Sequence, residues 1–499
     1  MEIRFQAAFI LYGLNKIMNT NKILEQLRLR SSSTEIRANH EIKILNDSGE
    51  NFPEWLAAIE AAQKYILIEM YIFADNEFGK QMRDLLIQKQ KSGVKVVLVY
   101  DWLGSLIPVF KKFFKPLEDA GALVVAYNPV GFASGLGLLS RNHRKSFVID
   151  GEVAFVSGLC VSSAWNGNAA KNEAAWRDIG VKIQGEAVFD VMVALADTLT
   201  SQGHELPEEV VLPAFGSDTD SGSLKAGVVA TTPRDNNMMR LDLNAISLAN
   251  KNLWITDAYF MPTRLYTQTL INAAHAGVDV RILVPKTSDI AWIARVSRTR
   301  YRELLQVGVR VFEWNGTMIH AKSAIVDGVW ARVGSTNLNF SSWHLNRELD
   351  VVLHAPEVIA DLERAFLADL ENATEIVLNN IDFANMKRQR RLHLKQLKAL
   401  NRSQAQAISL QIMNLSQAFK GNWHNTATTL VEEREINAYL GLGITLLLFA
   451  LILWFLPYIL IVPLMILLVA GGVSTLIYAV KQRRKFLQNQ SAGKQERRE

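Results

Sequence analysis

The chain has a single cysteine in 499 residues, Cys160, so no internal disulfide can staple it together. Nothing beside Cys160 marks it as a nucleophile, and it reads as a structural thiol. His, Cys and Asp never fall at zinc-like spacing, so neither a metal nor another cofactor is expected. A cleavable leader is not expected either. The apolar stretch Phe5 to Leu14 is short, is interrupted by Gln6 and has no small-residue cleavage pattern behind it, so it reads as an amphipathic helix on a membrane or on the protein.

Charge is missing in an ordered way. Residues 383–431 hold eight Lys or Arg and no acid, residues 436–480 hold no charge at all, and residues 481–499 hold seven bases against two acids. An uncharged run of 45 residues is about twice the length that one helix needs to cross a bilayer, and Pro457 and Pro463 fall near its middle. The expectation is a transmembrane helical hairpin with spans at about 437–456 and 459–480. Lys481, Arg483, Arg484 and Lys485 follow directly, which places that flank, and with it the rest of the chain, on the cytoplasmic side of the cell's inner membrane. In residues 383–431, Leu394, Leu397 and Leu400 recur at helical spacing among the bases, as in a helix lying on anionic headgroups. Residues 1–382 carry 38 bases and 44 acids, a net of −6, unlike the basic face of a protein that tracks nucleic-acid phosphates.

What the chain does have is a repeat. His143-Arg-Lys145 followed by Asp150, and His320-Ala-Lys322 followed by Asp327, both read His-x-Lys-x-x-x-x-Asp, 177 residues apart. Each continues with a Gly, then an apolar run ending at Ser157-Gly158 or Gly334-Ser335. Around the triplets, strand-like runs alternate with helical ones, which predicts an α/β fold. Tyr65–Phe73, the run from Gly93 and the run from Gly121 return as Leu253–Phe260, the run from Gly277 and the run from Gly308, at offsets of 184 to 188 residues. Two homologous domains therefore stand in tandem. We divide the chain into an N-terminal segment 1–37, a first domain 38–205, a linker 206–235 rich in Pro, Gly and Ser, a second domain 236–382, the basic amphipathic segment 383–431, the hairpin 436–480 and a basic tail 481–499.

Two imidazoles facing each other suit a two-step phosphoryl transfer: one attacks phosphorus, the other protonates the departing alkoxide. The Lys beside each His offers a compact positive charge to phosphate oxygens, and an Asp can hold an imidazole in the productive tautomer. In an extended strand, His and Lys two apart share a face, so both triplets can reach one cavity. Asp150 and Asp327 come just before a Gly and fit the turns that close the strands. Ser157, Ser335 and Asn337 offer further phosphate contacts. Glu69, on an apolar strand, is a candidate either to assist a histidine or to pair with a buried base, and Trp176-Arg177-Asp178 is read as an orienting segment at the cavity rim.

With both triplets, Glu69-Met-Tyr71-Ile-Phe73, Asp101-Trp-Leu-Gly104-Ser105, Trp176-Arg177-Asp178, Tyr259-Phe260-Met-Pro262 and Asn346-Arg-Glu348, residues 38–380 resemble the phospholipase D superfamily and, within it, the bacterial cardiolipin synthases. The resemblance implies two α/β/α sandwich domains and a phosphohistidine on His143, with His320 as general acid and then base, the reverse order of the two histidines being the alternative. It implies a membrane-bound phosphatidyltransferase that makes cardiolipin from two phosphatidylglycerol molecules and releases glycerol. The alternatives are hydrolysis of phospholipids or, against the charge balance, of nucleic acid. Where the family shows Gly-Gly-x-Asn, the first copy has Ser157-Gly158-Leu159-Cys160, so an amide donor is missing from one half-site. Phospholipid and membrane are the expected partners, nucleic acid is not, and the oligomeric state is left open.

Overall fold

A computed structural model describes residues 34–129, 140–167, 174–211, 224–378 and 468–480. Among them, fifteen strands form one mixed sheet. The first half supplies β1 (Arg37–Asn46), β2 (Tyr65–Met70), β3 (Lys95–Asp101), β4 (Leu123–Tyr127), β5 (Lys145–Ile149), β6 (Val153–Ser157) and β7 (Ile179–Gly185). The second supplies β8 (Leu224–Thr231), β9 (Asn252–Thr256), β10 (Asp279–Pro285), β11 (Arg310–Trp314), β12 (Ser323–Val326), β13 (Trp330–Gly334), β14 (Glu348–Leu353) and β15 (Ala373–Ile376). The order is β15-β11-β10-β9-β12-β13-β14-β8-β1-β7-β6-β5-β2-β3-β4, so β1 to β7 are repeated in mirror sequence by β8 to β14, and β15 adds an edge. The centre is the antiparallel pair β1–β8, with Arg37 opposite Ala226 and Asn39 opposite Leu224. The sheet thus has a pseudo-dyad between its two halves.

Residues 224–231 fall within the stretch assigned to the linker but form β8. Their apolar pattern buries Ala226, Gly227, Val228 and Val229, and the strand pairs with β14 on one side and β1 on the other. Such a strand joins the halves instead of spacing them. The N-terminal segment 1–33, residues 379–467 and the tail 481–499 lie outside the described residues. So do the basic segment and most of the expected hairpin. Residues 468–480 form a helix, and no helix among the described residues is long and apolar enough to cross a membrane.

Apolar side chains on the two faces of the sheet enter different cores, as the two-residue strand period requires. Val148, Val156 and Val181 of the first half share a central cluster with Ile325, Val333 and Val351 of the second, and the helices Ala187–Ser201 and Pro356–Glu371 add Leu195 and Leu362. On the opposite faces, Phe147 and Phe155 meet Trp55 and Met82, while Ala324 and Val326 meet Leu270 and Leu304. Strand β2, Tyr-Ile-Leu-Ile-Glu-Met, is buried at every position, as befits an inner strand covered on both sides. Its one charge, Glu69, therefore needs partners within the protein.

Strands β2, β3 and β4 run parallel, and β5 runs antiparallel to β2 with Lys145 opposite Met70. Lys145 thus starts its strand at the end where β2 finishes, and Asp150 ends it at the other. The second half repeats this with β12 antiparallel to β9, Ser323 opposite Thr256 and Val326 opposite Leu253. Both triplets consequently present their His and Lys at the carboxyl ends of the parallel strands, the edge on which open α/β sheets build sites.

Candidate active site

His143 and His320 lie just ahead of β5 and β12 and are held there by the opposite half. The His143 amide donates to the Arg347 carbonyl at 2.9 Å, and the His320 amide donates to the Arg177 carbonyl at 2.7 Å. The residue after each of those arginines is an acid. Nδ1 of His143 lies 2.9 Å from Oε2 of Glu348, and Nδ1 of His320 lies 2.8 Å from Oδ2 of Asp178. A carboxylate only accepts, so each Nδ1 carries the proton and Nε2 keeps the lone pair. Each half-site is therefore completed by the other half.

Those two carboxylates are fully buried yet stay ionised. Burial works against the Glu348 carboxylate, but His143, Lys145 and Ser335 outweigh it and hold its pKa below the usual range. For Asp178, His320, Lys322 and the indole of Trp165 do the same. Ser335, expected to face phosphate, donates its Oγ–H to Glu348 at 2.6 Å and accepts from the Leu349 amide at 2.9 Å. At the matching place the first half has Gly158, where a Cβ would come within 2.1 Å of Asp178 Oδ1. A shorter acid beside glycine and a longer one beside serine are the two solutions of the same geometry.

Aromatic rings wall the imidazoles. Tyr71 meets His143 edge-on with centroids 4.7 Å apart, and its counterpart Tyr259 meets His320 at 5.8 Å, where Trp165 and Trp176 also pack. The two lysines behave differently. Lys145 Nζ donates to the His143 carbonyl at 2.6 Å, whereas Lys322 Nζ lies 2.8 Å and 3.0 Å from the two ring nitrogens of His320 and also reaches the His320 carbonyl. Burial lowers the pKa of both histidines, and Lys322 pushes His320 further, to about 4. Burial likewise lowers Lys145, and it brings Lys322 down to about 8.

Asp150 and Asp327 do not meet the histidines. Strand β5 carries Asp150 about 17 Å from Lys145, five residues at about 3.3 Å each. There its carboxylate accepts from the amides of Gln63, Lys64 and Tyr65 at 2.7 to 2.8 Å. Asp327 does the same for Asn250, Lys251 and Asn252 at 2.7 to 2.9 Å. Both take positive φ, 55° each, followed by Gly151 at 74° and Gly328 at 68°, which makes tight hairpin turns of the kind Asp-Gly favours. The expectation that these aspartates orient an imidazole is thus corrected: that place belongs to Glu348 and Asp178.

The remaining expected residues divide. Glu69 accepts from Asn142 at 2.9 Å and Thr198 at 2.6 Å with Arg144 at 3.7 Å, a buried network beneath the first triplet. Arg177 reaches Asp369 at 2.8 Å, Asp47 at 3.0 Å and the Asp178 carbonyl at 2.7 Å, so it locks the segment that presents Asp178. Its counterpart Arg347 crosses to Asp197 in the first half. Ser157 Oγ donates to the Leu159 carbonyl at 3.3 Å. Asn337 is buried with Oδ1 unpartnered, and Cys160, at the equivalent place, packs into the first half's outer core. The sequence reading gave Trp176-Arg177-Asp178 an orienting place at the rim but did not pair Asp178 or Glu348 with a histidine, although an Arg-acid pair follows each triplet.

A family model described as cardiolipin synthase, PLD-like domain, matches residues 55–192 and 243–370. The chain is 32% identical over 369 residues to a cardiolipin synthase of Halalkalibacterium halodurans, covering 73% of this chain and 72% of that one. It is 34% identical over 362 residues to cardiolipin synthase 2 of Bacillus cereus, covering 71% and 69%. Among solved structures, phosphatidylserine synthase of Haemophilus influenzae superposes with a TM-score of 0.58 at 16% identity, covering 75% of this chain and 98% of that one, a likeness of fold.

Proposed function

The chain belongs to the family of cardiolipin synthases with phospholipase D-like domains, and from that premise we propose a membrane-bound phosphatidyltransferase that joins two phosphatidylglycerol molecules into cardiolipin and releases glycerol. The observation that carries this reading is the crossed pairing of each buried His with a carboxylate of the other half, which leaves the Nε2 of one imidazole to attack phosphorus and the Nε2 of the other to carry the proton.

In the first step, Nε2 of His143 attacks the phosphodiester phosphorus, the bond to the glycerol headgroup breaks, and His320 gives a proton to the departing alkoxide. In the second, His320 takes the proton from a glycerol hydroxyl of the next phosphatidylglycerol, that oxygen attacks phosphorus, and the P–N bond breaks to restore His143. Assigning attack to His143 is favoured by the lysines: Lys145 is turned to a backbone carbonyl, whereas Lys322 sits against the ring of His320. An arriving phosphodiester anion competes for Lys322, and His320 can then hold a proton against Asp178. Asn337 offers an amide to phosphate in the second half-site, and Cys160 leaves the first without one. Glu69 and Arg177 act as supports. Aromatic rings pack against both imidazoles, and an apolar surround of that kind favours transfer to a lipid hydroxyl over hydrolysis.

The test is incubation of the full chain with phosphatidylglycerol in bilayers. Cardiolipin with one glycerol per turnover is expected; phosphatidate without cardiolipin would replace the reading with hydrolysis. Quenched reactions should carry phosphate on His143, and label on His320 would reverse the roles.

A further inference from the structure

We propose that the mouth of the site carries two bilayer-docking prongs, one from each half: Leu103, Ile107 and Phe110 in the first, and Ile290, Trp292 and Val296 in the second. The inference rests on the lipid-substrate reading and adds the surface through which the folded body meets the bilayer.

These side chains are exposed: Ile107 is 65% accessible, Phe110 74% and Trp292 57%. They are also ordered by helical spacing. Ile107 and Phe110 lie three apart on the short helix Leu106–Phe110, with Leu103 in the turn that leads into it, and Trp292 and Val296 are one turn apart on the helix Ala291–Gln306. Each prong is wired to a catalytic imidazole through the tyrosine that packs on it. In the first half, the Leu103 and Gly104 amides donate to Asp101 Oδ1, and Asp101 Oδ2 accepts from the Asn142 amide, one residue before His143. Gly104 lies so close to Tyr71 that a Cβ there would come within 2.3 Å of the Tyr71 carbonyl. In the second half, Tyr259 donates its hydroxyl proton to Asp289 at 2.9 Å, and Ile290 comes next in the chain. The equivalent strands β3 and β10 deliver both prongs to the same edge as the triplets.

The surrounding charge fits an anionic lipid surface. Lys112 is exposed beside Phe110, and Lys286 and Arg295 are exposed around Trp292, while the nearby Lys111, Lys115 and Arg298 are paired with Asp75, Asp119 and Glu313. Aromatic and aliphatic tips flanked by bases sit favourably at the headgroup level of such a bilayer. A phosphodiester must also leave the bilayer to reach histidines that are over nine-tenths buried. A mouth whose two lips enter the headgroup layer shortens that path.

The sole native thiol, Cys160, is buried, so thiol labels go to introduced cysteines in the folded chain. Phe110→Cys, Trp292→Cys and, at the far end of β5, Glu152→Cys are each labelled with an environment-sensitive fluorophore. The full-length protein is then reconstituted in vesicles of phosphatidylglycerol and brominated phosphatidylcholine. Bromine-dependent quenching of at least two-fold is expected at 110 and 292 and none at 152. Absence of quenching at either prong, or equal quenching at 152, overturns the proposal; a shielded label that ignores bromine means that protein covers the patch. In a second arm, Phe110→Ser combined with Trp292→Ser lowers turnover of vesicle phosphatidylglycerol at least ten-fold while a monomeric short-chain analogue is turned over within two-fold of the parent. Equal loss on both substrates also overturns it. Quenching does not depend on turnover: quenching without cardiolipin formation sinks the catalytic reading alone, and cardiolipin formation without quenching sinks the docking alone.

Discussion

At the scale of the residue, the site is two imidazoles tuned by what lies within 3 Å of them. His143→Ala and His320→Ala should each lower turnover by ~10⁴-fold or more with the fold intact, as seen by circular dichroism, since both are needed for one transfer. Glu348→Gln and Asp178→Asn preserve shape but remove the charge that holds Nδ1–H. Each should reduce kcat by about 10²–10⁴-fold with little change in KM, and equal losses in both constants would point to binding instead. Lys322 titrates near 8 because burial disfavours its charge. The charged form is the one that can meet phosphate, so kcat/KM should fall as pH rises through about 8. Lys322→Arg keeps a cation there and should remove that step, which a pH profile of the two proteins would show.

At the scale of the element, the Asp of each triplet belongs to a hairpin and not to the chemistry. Asp150→Ala strands three amide donors at the start of β2, and Asp327→Ala does the same before β9. Each should cost about 2–4 kcal/mol of stability, measured by denaturant unfolding, while activity per folded molecule is largely kept. The strand that separates Lys145 from Asp150 explains why a tight sequence motif becomes two distant sites. Side chains two apart stay neighbours, and those seven apart across an extended strand do not. Arg177–Asp369 and Arg347–Asp197 likewise clamp each Arg-acid pair to the other half's helix, and the crossing follows from the pseudo-dyad.

At the scale of the whole molecule, neither half is a site by itself, because the central core is shared and the imidazole partners are exchanged. Residues 34–211 expressed alone should therefore turn over no lipid as a monomer, and co-expression with the second half should restore activity in a complex recovered by size exclusion. Acid should also loosen the fold. His320 keeps a pKa of about 4 when folded, against 6.5 as its ordinary value, so between those values the unfolded chain takes up a proton that the folded one refuses. Stability gained above 6.5 is lost as pH falls through this window, and Asp178 and Glu348, with lowered folded pKa values, add to the loss at lower pH. Thermal unfolding followed from pH 7 to pH 4 checks the sign.

The sequence by itself determined the duplication, the α/β alternation, the pairing of His with Lys and the Asp-Gly turns. These depend on neighbours along the chain, and periodicity and spacing record such neighbours. It did not show that Leu224–Thr231 would cross the supposed linker as β8, because an apolar strand between flexible residues declares its partners only once a sheet exists. Nor did it choose the carboxylate for each imidazole. Asp150 was seven residues away and Glu348 was 205, yet antiparallel pairing sends Asp150 to the far edge and the β1–β8 dyad brings Glu348 within 2.9 Å. The Arg-acid pairs after each triplet name candidates in the sequence, but spacing along the chain does not record contacts across a dyad, so tertiary structure decided which charges face the histidines.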